Sequence, residues 1–133
     1  MHAAMAFANR TLGFVNAPAL MQRSIEPCLG ESVDITWYRR KRDLLYGALT
    51  SFGYDMVPPG GTFYMFPRAP GGDDMAFCRA MVKRRVLVVP GAGFGTPGYF
   101  RLSFCVPDEV CQNALPAFED AMKEYKKNGK FLE

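Results

Sequence analysis

The stretch from residue 86 to residue 105, VLVVPGAGFGTPGYFRLSFC, constrains the fold more than any other part of the chain. Four consecutive apolar residues lead into a proline and a loop with four glycines, and an alternating segment follows the loop. This pattern predicts two β-strands joined by a glycine-rich loop. The alternation of the second strand divides its residues between the two sheet faces: Phe100, Leu102, Phe104 and Val106 on one, and Tyr99, Arg101, Ser103 and Cys105 on the other.

Arg101 is the one charged residue of this second strand. A charge beside so many apolar residues is costly unless it is paired. The planar guanidinium pairs best with a carboxylate or phosphate, through two parallel hydrogen bonds. Two interpretations follow from the residues alone: a salt bridge to an acid of the same chain, or an arginine that recognises an anion at the rim of a loop-built site.

The rest of the chain predicts helices around these strands. A helix is expected from Pro18 to about Leu29, and a long one from an Asp34 cap to Phe52, closed by Gly53. In the long helix the apolar residues predict a buried stripe: Ile35, Tyr38, Leu44, Leu45, Ala48, Leu49 and Phe52. Residues 1–16 show no clear period and predict no element.

Further elements are expected after residue 53. Short strands are predicted at 54–57 and 62–66, and Val86–Val89 is predicted to be a central strand covered on both faces. Asp73 can cap a helix that buries Met75, Phe77, Cys78, Met81 and Val82. A last helix begins after Pro107, ends at Gly129 and is expected to bury Val110, Ala114, Phe118, Ala121 and Tyr125.

This order of elements predicts an α/β chain, more narrowly an α+β small domain. We expect a small, mostly antiparallel sheet with helices packed on one face, and Arg101 on the other face.

Composition excludes several classes of function. The net charge of +3 is too small to argue for nucleic acid or a membrane surface as a partner, and the basic run 39–42 is expected to be a solvated helix face. The four cysteines form no CxxC pair and the single histidine is His2, so we predict no metal site. The scattered thiols suggest buried residues in a reducing compartment, and we expect a cytoplasmic protein.

Four segments resemble the class I/II aminotransferases of the aspartate aminotransferase fold type, which use pyridoxal phosphate. The run from Pro90 to Phe104 fits the pattern PGxxFGxxGxxRLSF of that family's C-terminal signature. Residues 38–45 are similar to its RRDxL helix, residues 59–66 to its PxGtFYxF turn and strand, and residues 16–22 to the segment leading into the last helices of the large domain. The four occur in the family's order.

The resemblance implies roles for particular residues. Arg101 matches the arginine that binds the substrate α-carboxylate. Gly91, Phe94 and Gly95 match the loop that shapes the site beside that arginine. Asn16 matches an asparagine near the partner subunit's active site. The family's Schiff-base lysine lies in a serine-rich context that this chain lacks, so no catalytic or cofactor-binding residue is expected here.

The resemblance therefore implies a C-terminal portion of an aminotransferase that acts on an amino acid and a 2-oxo acid. Residues 1–33 would be the tail of the large domain and residues 34–133 the small domain with its interdomain helix. Pyridoxal phosphate, the missing large domain and a second subunit of a homodimer would complete the enzyme. Two alternatives stay open: a β-eliminating lyase of the same fold, and an aminotransferase-like binding or regulatory module.

Overall fold

The computed structural model describes residues 1–13 and 15–131, and the chain divides into two compact units, Met1–Val33 and Asp34–Glu133. The first unit contains helix α1 (His2–Thr11), helix α2 (Ala19–Ile25) and a 3-10 turn (Glu26–Cys28). Helix α1 corrects the expectation that residues 1–16 form no element, since an alanine-rich run favours a helix without any apolar stripe. Helix α2 ends before the predicted Leu29 because Pro27 lacks the N–H that another helical turn needs.

Helix α3 (Ile35–Phe52) opens the second unit. The Asp34 side chain accepts a hydrogen bond from the Thr36 N–H at 2.9 Å, and Gly53 ends the helix with a φ of 103°. Hydrogen bonding to Thr36 also lowers the pKa of the Asp34 carboxyl. Leu45 and Leu49 are buried as predicted, whereas Ile35 and Leu44 are exposed.

The sheet has three antiparallel strands in the order β1–β3–β2, where β1 is Tyr64–Met65, β2 is Val89–Pro90 and β3 is Phe100–Ser103. The prediction that Val86–Val89 forms a central strand is wrong. Strand β2 starts only at Val89 and lies at the sheet edge, paired with β3 alone. Before it, Leu87 is 83% exposed while Val88 is buried.

The predicted strand 54–57 is also absent, and the strand 62–66 shrinks to β1. Tyr54 is buried, and its hydroxyl donates to the Phe118 carbonyl at 2.9 Å. Two consecutive prolines at 58 and 59 supply no N–H for a ladder, and Thr62 has a φ of 64°, which is incompatible with an extended strand.

The core joins the buried face of β3 to helices α4 (Asp74–Lys83) and α5 (Asp108–Asn128). The Phe100 ring of β3 lies 4.4 Å from Phe77 of α4 and 6.2 Å from Phe118 of α5, measured between ring centres. The opposite face of β3 carries Arg101 and Ser103, which the helices leave partly or fully accessible. This arrangement confirms the predicted fold class.

Some predicted core positions of α4 and α5 are wrong. Met75 and Val82 of α4 are exposed, and on α5 Val110 is exposed while its neighbour Cys111 is buried.

Among the helices that the structure describes, none combines the length and apolar character needed to cross a bilayer.

Lys41 corrects the expectation that the basic run 39–42 is wholly solvated, because its side chain is 1% exposed. Its ammonium lies 3.2 Å from the centre of the Trp37 ring and donates a hydrogen bond to the Val106 carbonyl. Asp108 Oδ1 is 3.8 Å from the same nitrogen. Lys41 therefore ties α3 to the start of α5.

Candidate functional site

Arg101 lies in the middle of β3 on the face that the helices do not cover, opposite Val89 of β2. Its guanidinium carbon is 4.3 Å from the centre of the Tyr64 ring and 4.2 Å from the centre of the Phe94 ring, above both ring faces. Two aromatic rings therefore flank the half-buried cation, and cation–π attraction holds it between them.

No carboxylate of residues 1–13 and 15–131 forms an ion pair with Arg101. The structural salt bridge considered from the sequence thus has no partner among these residues. The two ring contacts use the charge of the guanidinium, whereas a planar anion would be bound by the N–H donors, which lie in the guanidinium plane.

The loop after β2 is shaped by Gly91 and Gly95. A Cβ atom at Gly91 would lie 2.3 Å from the Thr96 carbonyl oxygen and 2.7 Å from that of Tyr99, so only glycine fits. Gly95 ends the Gly91–Phe94 turn with a φ of 74°. The turn places Phe94 against Arg101, so two predicted site residues, Phe94 and Arg101, are in contact.

Two further residues of this site were not predicted from the sequence. Tyr64 lies on a strand that pairs with β3, and its ring contacts Arg101. Asp74, at the start of α4, is 6% exposed and its Oδ2 accepts a hydrogen bond from the Ala92 N–H at 2.8 Å. Antiparallel pairing of the two motif strands is a signal that could have indicated Tyr64, whereas no local pattern indicates Asp74.

Asn16 lies in the first unit, where it is exposed and its N–H donates to the Gly13 carbonyl at 3.1 Å. Its role beside a partner subunit stays a prediction.

The cysteines divide into two pairs by exposure. Cys78 and Cys111 are buried as predicted, whereas Cys28 and Cys105 are exposed. Burial, helped by the nearby Asp74 charge, raises the pKa of the Cys78 thiol to about 11, and burial also raises the pKa of Cys111.

Within the described ranges, no three His, Cys, Asp or Glu side chains lie close enough together to hold a metal ion.

Comparison with known proteins defines the class. The family described as aminotransferase class I and II matches residues 5–118. A crystal structure of an amino transferase from Eubacterium rectale superposes with a TM-score of 0.77 at 46% identity, covering 92% of this chain and 31% of that chain. The chain belongs to the class I and II aminotransferase family.

Individual relatives show how much of the family's length the chain represents. It is 37% identical over 94 residues to aromatic-amino-acid aminotransferase 2 of Thermococcus litoralis, covering 67% of this chain and 24% of the relative. It is 36% identical over 84 residues to an aspartate aminotransferase of Thermotoga maritima, covering 62% and 22%. The chain thus spans about a quarter of the length of these curated relatives.

The enzymes of this family use pyridoxal phosphate, but the described residues do not fit a covalently held cofactor. The buried Lys41 ammonium is already engaged by the Trp37 ring and the Val106 carbonyl. The other five lysines are exposed on α4 and at the end of α5 or just beyond it.

Proposed function

We propose that this chain is the C-terminal portion of a pyridoxal-phosphate-dependent aminotransferase, which transfers an amino group between an amino acid and a 2-oxo acid. Residues 34–133 would be its small domain and residues 1–33 the tail of its large domain. The observation that carries the proposal is Arg101, a strand arginine held between two aromatic rings and unpaired with any carboxylate of the described residues.

Arg101 would bind the α-carboxylate of the substrate. A carboxylate can accept two parallel N–H bonds from the guanidinium edge, and such a bidentate pair fixes both position and orientation. Amino transfer requires the Cα–H bond to be aligned with the cofactor, which serves as the electron sink when bound. The chain's contribution is therefore to bind and orient substrate, while no general acid or base is assigned within it.

The remaining parts of the enzyme are inferred from the family. A large domain would supply the cofactor site, and a second subunit would complete a homodimer, with Asn16 near the partner's site. We place the complete enzyme in the cytoplasm. The first unit supports this assembly, because none of its helical residues is buried.

Replacement of Arg101 tests the assignment in the intact enzyme that contains this chain. We expect Arg101→Ala to lower kcat/KM for amino transfer by about a hundredfold or more, since a charged hydrogen-bonded pair contributes roughly 2–5 kcal/mol. Arg79→Ala, which removes an exposed arginine of α4, is the matched control and should change kcat/KM little. Activity of Arg101→Ala within a few-fold of the parent would contradict the assignment.

The products of the same assay separate amino transfer from elimination. We expect turnover to require a 2-oxo acid and to convert it into the corresponding amino acid. Release of ammonia or a thiol without any 2-oxo acid would instead identify a β-lyase of the same fold.

A further inference from the structure

We propose that Asp74 is a positioning residue for Arg101, acting through the Gly91–Phe94 turn. The proposal concerns the architecture of the site, and it rests on the proposed function only for its effect on substrate. Asp74 does not contact Arg101 itself. It holds the turn whose last residue, Phe94, forms one of the two aromatic walls of the guanidinium.

Two adjacent aspartates at the start of α4 perform different tasks. Asp73 is exposed, and its Oδ1 accepts a hydrogen bond from the Ala76 N–H at 2.8 Å, which caps the helix. The buried Asp74 directs its Oδ2 out of the helix to the Ala92 N–H, eighteen positions along the chain. A hydrogen bond to a buried carboxylate is stronger than a neutral one, so this contact is a firm tether for the turn.

Hydrogen bonds hold the turn at Gly91 and at Ala92, and these two residues determine where Phe94 lies. The Gly91 N–H donates to the carbonyl of Tyr99 at 2.7 Å, which ties the start of the turn to the residue directly before β3. One residue later the Ala92 N–H is held by Asp74. The Gly95 N–H then donates to the Ala92 carbonyl at 3.2 Å, so a displacement of Ala92 also displaces the end of the turn next to Phe94.

Apart from Arg101, the Phe94 ring contacts one other aromatic side chain among residues 1–13 and 15–131, Phe66, edge to face at 6.3 Å between ring centres. Phe94 is otherwise exposed to 46%. Without the tether at Ala92, this ring is free to leave Arg101. The Tyr64 wall, which is carried by β1, would remain in place.

NMR on the isotope-labelled 133-residue chain tests the tether without substrate or cofactor. Because the guanidinium lies over the Tyr64 and Phe94 rings, we expect their ring currents to shift the Arg101 Nε–H proton upfield. We expect Asp74→Ala to remove the Phe94 share of this shift, and Phe94→Leu to produce the same change. Asp74→Asn keeps an acceptor oxygen and should retain most of the shift, while the neighbouring control Asp73→Ala should retain all of it.

An unchanged Arg101 Nε–H shift in folded Asp74→Ala would overturn the proposal. If Asp74→Ala does not fold, the test is hydrogen exchange of the Ala92 amide, measured first in the unaltered chain. Slow exchange of this amide supports the tether if Asp74→Asn, whose neutral amide oxygen accepts a weaker hydrogen bond, speeds the exchange more than Asp73→Ala does. Fast exchange in the unaltered chain overturns it.

Kinetic measurements on the intact enzyme distinguish a failure of this proposal from a failure of the proposed function. We expect Asp74→Ala to raise KM for the amino acid by about tenfold with a smaller effect on kcat, because the arginine is loosened but not removed. If the NMR result holds while Arg101→Ala leaves activity intact, the proposed function fails and the tether stands. If Arg101→Ala abolishes activity while Asp74→Ala changes neither the NMR shift nor KM, the tether fails alone.

Discussion

Glycine is required at position 91 for reasons of space rather than of backbone angle. The φ angle of Gly91 is not positive and would allow other residues. A side chain there, however, would collide with the carbonyl oxygens of Thr96 and Tyr99. Both obstacles are backbone atoms, which cannot swing aside as the end of a flexible side chain can. The loop therefore folds close to β3 only because residue 91 has no Cβ.

A matched pair of substitutions tests this claim. We expect Gly91→Ala to reduce the free energy of unfolding by about 1–3 kcal/mol, the usual cost of overpacking. Gly93→Ala, two residues away, places its Cβ in open space and should change stability by about 0.5 kcal/mol or less. Urea unfolding of both variants gives the comparison, and equal effects at the two positions would contradict the steric explanation.

The Cys78 thiol links stability to alkaline pH. Its pKa rises from an ordinary value of 9.0 to about 11 because burial and the Asp74 charge disfavour the thiolate. The folded chain thus keeps the thiol protonated where the unfolded chain loses the proton, so its contribution is complete below pH 9 and is lost as the pH rises toward 11.

We therefore expect the free energy of unfolding of the parent to fall between pH 9 and 11 more steeply than that of Cys78→Ala. Cys105→Ala, at an exposed thiol, is the control and should follow the parent curve. Urea titrations at several pH values in this window measure the difference. Parallel curves for the parent and Cys78→Ala would show that the thiol does not titrate differently in the two states.

At the residue scale the sequence identifies Arg101 and Phe94, and the structure shows them in contact. Arg101 could be predicted because it is the one charge in an alternating strand, whereas Phe94 was predicted through the resemblance of its loop to the family's signature. Tyr64 and Asp74 could not be placed by such patterns, since they reach the site through strand pairing and through a hydrogen bond between distant segments.

At the scale of elements, Lys41 joins α3 to α5 through the Val106 carbonyl and Asp108. The helical periodicity of the sequence could have indicated that residue 41 is buried, because it lies three residues after Tyr38 and four before Leu45, both on the predicted apolar stripe. The spacing therefore places Lys41 on the buried face. The adjacent arginines obscured this, since a run of basic residues usually indicates a solvated face.

Substitution of Lys41 tests its structural role. We expect Lys41→Met, which keeps the aliphatic stem, to lower the free energy of unfolding by about 1–3 kcal/mol, because the Val106 carbonyl and Asp108 lose a charged partner. Arg39→Ala removes an exposed neighbouring charge and should have little effect. Thermal or urea unfolding of both variants measures the two changes in the free energy of unfolding. A Lys41→Met variant as stable as the parent would show that the buried ammonium contributes nothing net.

The helices of the second unit are predictable because their caps are local. Asp34, Asp73 and Gly53 mark the observed ends of α3 and the observed start of α4. The strands are less predictable, since β1 and β2 have only two residues each, too few for an alternation to be visible. Pairing with β3 defines them, and that pairing is a tertiary interaction.

At the scale of the whole molecule, the two units differ in how they are stabilised. The second has a continuous core of aromatic and aliphatic side chains, whereas the helices of the first bury none of their residues. The first unit exposes a series of large apolar side chains: Met5, Phe7, Leu12, Val15, Leu20, Met21, Ile25, Leu29 and Val33. Such surface is characteristic of a segment that packs against further protein, which agrees with the proposed large domain.

The central claim is that Arg101 recognises the α-carboxylate of an aminotransferase substrate. The most direct test compares two substrates of the intact enzyme, an amino acid and the corresponding amine that lacks the α-carboxylate. We predict that Arg101→Ala lowers kcat/KM about a hundredfold or more for the amino acid and only a few-fold for the amine. Equal losses for both substrates would contradict the claim, since the arginine would then not act on the carboxylate.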